Sequence, residues 1–171
     1  FSAKQATRSV LRGVGQSRQS QPFDLIKALE VANGGVLQLA RSAPVGWANL
    51  LTLGTFFVMR EIELAYAKVG HIKVDTASQR VTWLLPVSKK DPKAVGCERS
   101  WACLCQSEGG VRPDCPYHAA VRQLDLLRAC FGDDADSMSP LFPDSDHGTV
   151  DKCSVVEALE ATVGLYGGRV L

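Results

Sequence analysis

Apolar residues recur at helical spacing over 22–33, where Phe23, Leu25, Ile26, Leu29 and Val31 form one stripe and Gly34-Gly35 supplies a stop. A second short helical piece is expected over 36–41. Pro44 then opens a longer apolar stretch, 47–69, closed by Gly70 and read as one buried helix carrying Arg60 and Glu63. The pattern next turns to β-branched and large apolar residues in two short runs, 71–75 and 80–85, separated by Thr76-Ala77-Ser78-Gln79. These predict a hairpin, and a third strand over 98–104, after a polar turn at 88–96, completes a small antiparallel sheet. Helical spacing returns over 116–131, with Val121, Leu124, Leu126 and Leu127 as its apolar face, and again over 151–165. Between them lies an acidic, turn-rich loop, 133–148, holding Pro140-Leu141-Phe142-Pro143. No internal repeat is visible. The pattern predicts an α+β fold, mainly helical, with an inserted three-stranded antiparallel sheet.

Composition narrows this picture. A hydrophobic content of 46% in 171 residues suits one domain plus an arm. The arm is expected over 1–21 and the domain over 22–171. No apolar run reaches the roughly 18 residues that span a bilayer, because 47–58 is interrupted by Asn49, Thr52, Gly54 and Thr55 before Arg60. No secretory signal is present, and the chain, beginning at Phe1, reads as a piece of a longer frame. A net charge of +1 selects no partner, but its distribution is uneven. Lys4, Arg8, Arg12 and Arg18 stand in a region without acids, while Asp133, Asp134, Asp136, Asp144, Asp146 and Asp151 cluster late. The arm reads equally as a solvated linker or as a contact to nucleic-acid phosphates.

Six cysteines supply the first candidate chemistry. Cys103-x-Cys105, nine further residues, and Cys115-x-x-His118 offer three thiolates and an imidazole, enough for a closed tetrahedral zinc site. Such a site staples the loop composition of 107–114 and bounds a zinc-stapled insertion at 97–118. Cys97 is an alternative fourth ligand. Free thiols and disulfides compete for the same residues, although Cys130 and Cys153 fall in expected helices.

The second candidate is a pair of cations. Arg60 lies in Phe57-Val58-Met59-Arg60-Glu61-Ile62-Glu63-Leu64, and Lys89 in Leu84-Leu85-Pro86-Val87-Ser88-Lys89-Lys90-Asp91. The uncharged run before Arg60 suggests a helix that carries a guanidinium into the core, and a buried arginine must be paired or face a ligand. The competing reading is a helix-surface arginine paired with Glu61 or Glu63. Over roughly residues 44–171 the arrangement resembles the catalytic domain of tyrosine recombinases, the phage-integrase superfamily. Members carry an Arg-x-x-Glu-Leu helix followed by a hairpin lysine.

That resemblance implies DNA integration and recombination on duplex DNA, through a 3′-phosphotyrosine and without a cofactor in the chemistry. Arg60 takes the place of the first catalytic arginine, whose parallel N–H donors stabilise charge on the non-bridging phosphate oxygens. Glu63 takes the place of its structural support. Lys89, with Lys90 as competitor, takes the place of the lysine that protonates the 5′ leaving oxygen. Gly167-Gly168-Arg169 matches the approach to the family's Gly-(Gly)-His-x-x-Arg motif, with Arg169 where the histidine is expected, and no tyrosine follows it. The chain is thus expected to hold part of the catalytic constellation and to be inactive alone, in a nuclear protein that oligomerises on DNA. A zinc-stapled DNA- or protein-binding module without catalysis is the alternative.

Overall fold

A computed structural model describes residues 23–34, 43–85, 96–105, 109–132 and 136–167. Along the chain these form α1 (Leu25–Asn33), α2 (Trp47–Phe57), α3 (Glu61–Ala65), a 3-10 turn (Val69–His71), β1 (Ile72–Asp75), β2 (Arg80–Leu85), β3 (Cys97–Ala102), α4 (Pro116–Phe131) and α5 (Lys152–Leu165). Helix and sheet are therefore mixed, as the hydrophobic pattern predicts. The arm over 1–21, the helical piece over 36–41, Lys89 and Arg169 lie outside the described residues. None of the described helices is long and apolar enough to cross a membrane.

The single helix expected over 47–69 is broken in two. Val58 takes a left-handed conformation, φ 53° and ψ 52°, at the end of α2. Its N–H bonds to the Thr55 carbonyl at 3.3 Å and the Met59 N–H bonds to the Gly54 carbonyl at 2.9 Å, the paired bonds of a Schellman stop. Glycine is the usual residue there, so the sequence carries no local stop signal. Arg60, extended at φ −81° and ψ 157°, then caps the start of α3, where the Glu63 carboxylate accepts its backbone N–H at 2.8 Å. Gly54 permits the close approach of α2 to α3, since a Cβ there would stand 2.9 Å from Leu64 Cδ1.

The sheet runs β1-β2-β3, antiparallel throughout. Trp83 of β2 faces Ile72 on one side and Arg99 on the other, and Val81 faces Val74 and Trp101. Val81 and Trp83 are fully buried, with the Trp83 ring centred 5.3 Å from Phe57 and 6.5 Å from Phe142. Over 136–148 the acidic loop is not loose, for Leu141 and Phe142 are completely buried. Its backbone is bound by the Val69 N–H to Ser139 O at 3.0 Å and the Leu141 N–H to Ala67 O at 2.8 Å. At the centre, the buried Gln123 amide donates to Val45 O at 3.2 Å and Leu141 O at 2.7 Å and accepts from Asn49 Nδ2 at 3.1 Å. A buried amide satisfied on both sides locks α4, the turn before α2 and the loop into one register.

Gly46 makes this lock possible. It sits at φ +77°, and a Cβ there would fall 1.8 Å from Gln123 Oε1. Gly46→Ala is expected to cost at least about 2 kcal/mol in urea unfolding, combining backbone strain with a displaced buried hydrogen-bond network. Val58→Gly should act oppositely. It relieves a left-handed β-branched residue that is 78% exposed, for a gain of about 1 kcal/mol after the glycine's extra unfolded-state freedom is counted.

Candidate metal centre

β3 ends at Ala102, two residues short of the expected boundary, and leaves Cys103 and Cys105 in an irregular segment beside the start of α4. Cys115 caps α4, Pro116 occupies its first position and His118 lies on its first turn. The i, i+3 spacing of Cys115 and His118 puts both on one face. There the ligand atoms of Cys103, Cys105, Cys115 and His118 all lie within 4.8 Å of one another. His118 Nδ1 stands 3.6 Å from Cys103 Sγ, 3.4 Å from Cys105 Sγ and 3.4 Å from Cys115 Sγ, and Cys115 Sγ lies 3.7 Å from Cys103 Sγ. Four soft or borderline donors converging on one point can hold a metal ion.

Backbone N–H groups point at these three sulfurs. Cys103 Sγ accepts the Cys105 N–H at 3.4 Å, Cys115 Sγ the Leu104 N–H at 3.3 Å and Cys105 Sγ the Arg112 N–H at 3.2 Å. Burial pushes the Cys115 thiol up, yet the backbone N–H groups of His118 and Leu104, the His118 ring and the Cys103 thiol together pull it down to about 6. The start of α4 favours the same negative charge. Cys103 is driven the other way, raised by burial and by its neighbouring thiols. A cation binding among them removes that mutual penalty, because coordinated sulfur is thiolate.

Side chains that the sequence reading did not single out frame the centre. Arg112 grips Asp114 with two bonds of 3.0 and 2.8 Å, closing the loop just before Cys115. Arg122, one turn beyond His118 on α4, donates to Asn49 Oδ1 at 3.1 Å and to Pro113 O at 3.3 Å. Burial lowers its pKa, while the Cys115 and Cys105 thiols act to raise it. The signal for Arg122 was present, since residues 115, 118 and 122 share a helical face. Asn49 and Gln123 carried none, being far apart in sequence.

The other candidate residues fall elsewhere. Cys97 sits at the far end of β3, opposite Leu85. Six residue steps, roughly 20 Å of extended chain, separate it from Cys103, and it is not in the cluster. All six cysteines are free thiols, and Cys130 and Cys153 lie in α4 and α5 as expected. Arg60 is not carried into the core: its side chain is 71% exposed, with Nε 3.4 Å from Glu63 Oε1, the surface pairing that was the competing expectation. The broken helix is the cause, because the turn at 58–60 lifts the residue to the surface. The two remaining histidines stand apart from the cluster: His71 accepts the Lys68 N–H at 3.2 Å through Nδ1, and His147 lies in a loop.

Comparison of the chain with protein-family models, with curated proteins and with solved structures found no match.

Cys115→Ser and His118→Ala are each expected to abolish stoichiometric metal binding, about one ion per chain by elemental analysis after purification under reducing conditions. Cys97→Ser should leave the metal content unchanged. Equal metal loss in all three variants would contradict the assigned ligand set.

Proposed function

We propose that this domain is a zinc-stapled DNA-binding core of the tyrosine recombinase type, acting on duplex DNA. Zinc is favoured by shape and by donor type. A tetrahedral zinc with Zn–S near 2.3 Å and Zn–N near 2.05 Å requires S···S edges of roughly 3.8 Å and S···N edges of roughly 3.5 Å. The Cys103–Cys115 S···S edge of 3.7 Å and the three S···N edges of 3.4–3.6 Å fit that figure, and the two S···S edges to Cys105 lie within 4.8 Å. Three sulfurs and one nitrogen complete the shell, which suits a structural ion rather than one that activates water.

The observation that carries the DNA reading is the setting of Arg60. Its backbone is pinned by Glu63 while its guanidinium projects into solvent, where it can offer parallel donors to a phosphate. The exposed pair with Glu63 is weak enough to be exchanged for such a ligand. β2 and β3, the strands joined by the connection that includes Lys89, pair antiparallel, the arrangement that the recombinase resemblance implies for a lysine delivered to the leaving oxygen. In this reading Arg60 and Glu63 form the phosphate clamp and its support, Lys89 and Arg169 contribute further cationic contacts, and the zinc takes no part in the chemistry. The zinc centre also favours a second reading, a stapled binding module without strand cleavage.

Affinity for duplex DNA should fall steeply with salt. Arg60→Ala is expected to reduce the slope of log K against log salt by roughly 0.9, the loss of one phosphate contact. Electrophoretic shifts across a salt series measure this. Binding that is absent, or whose salt slope is the same with and without Arg60, would contradict the assignment.

A further inference from the structure

The Arg60 turn has little packing of its own. Val58 is 78% and Ile62 47% exposed, and beneath the turn opens an apolar groove of about 460 Å³ lined by Trp47, Leu51, Gly54, Leu64, Val155 and Leu159. The last carbonyls of a helix also lack intrahelical partners. At the end of α2 two of these are taken by β3: Arg99 Nη1 donates to Phe57 O, and Trp101 Nε1 donates to Phe56 O at 2.9 Å. The Trp101 ring stands edge-on to Phe56 with centroids 5.3 Å apart. The positive charge of Arg99 further suits the negative end of the helix.

Burial does little to hold β3 in this position, because all six of its residues are exposed, Trp101 with its ring against Phe56 at 39%. It is fixed instead by its ladder to β2 and by its exit, where the Cys103 N–H bonds to Gln79 O at 2.8 Å and Cys103 enters the metal cluster. We propose that Arg99 and Trp101 are positioning residues that set the Arg60 turn, and that metal bound by Cys103, Cys105, Cys115 and His118 anchors the strand from which they act. The mechanical link runs from the metal through β3 to the end of α2. Its effect on a phosphate ligand rests on the DNA reading above.

Amide exchange and DNA binding of the zinc-loaded chain test the two halves separately. Arg99→Met should speed exchange of the Met59 and Leu64 amides roughly tenfold, the loss of one charge-assisted hydrogen bond, with α5 amides unchanged. Trp101→Phe, which keeps the ring and removes the donor, should give a smaller change in the same amides. Arg99→Lys should recover part of the protection. Zinc removal by chelation should speed exchange in β3 as well as at Met59 and Leu64. Arg99→Met should weaken duplex binding about as much as Arg60→Ala, and add nothing in the Arg60→Ala background.

Unchanged Met59 and Leu64 exchange in both Arg99→Met and Trp101→Phe would overturn the positioning role whatever DNA binding does. Unchanged β3 exchange after chelation would overturn the anchoring role of the metal. Additive loss of affinity in the double variant would show that Arg99 does not act through Arg60. Faster exchange together with DNA affinity indifferent to Arg60→Ala would leave the mechanical link standing and contradict the DNA reading instead.

Discussion

A strand with no buried face must be held by something other than the hydrophobic effect. β3 is such a strand, and the architecture around it follows from that constraint. On one side it has the hydrogen-bonded ladder to β2. Along its length it has two side-chain bonds to the end of α2. At its exit it has the converging sulfurs and imidazole that tie it to α4. The apolar core lies behind β2, around Trp83, Phe57 and Phe142, and does not reach β3. A metal ion held here would supply order where burial does not.

The same economy explains the polar interior. Gln123 and Asn49 are buried, yet each amide finds partners, and Arg122 connects this network to the Pro113 carbonyl beside Cys115. The cluster is therefore braced from two directions, by β3 and by the α2–α4 contact. With three thiolates around a divalent ion the centre would carry one negative charge, which the half-buried Arg122 guanidinium is placed to offset.

Local features were legible in the chain, and long-range ones were not. The four metal-site residues lie within sixteen positions, with Cys115 and His118 one helical turn apart, so spacing alone gathered them. The hairpin and α4 followed from period and glycine stops. The break at Val58 left no trace, because the stop is made by a β-branched residue in a conformation that glycine normally takes. From that one hidden break came the mistaken burial of Arg60; its surface pairing with Glu63 was open in the sequence as the competing reading, and only its place as a helix cap waited for the separation of α2 and α3. Arg99 and Trp101 looked like ordinary strand residues, since their partners are carbonyls more than forty positions earlier.

X-ray absorption at the zinc edge of the reduced, zinc-loaded chain tests the central claim most directly. The account predicts a first shell of three sulfurs near 2.3 Å and one imidazole nitrogen at about 2.0–2.1 Å, with no coordinated water. A shell dominated by nitrogen and oxygen, or one with fewer than three sulfurs, would contradict it.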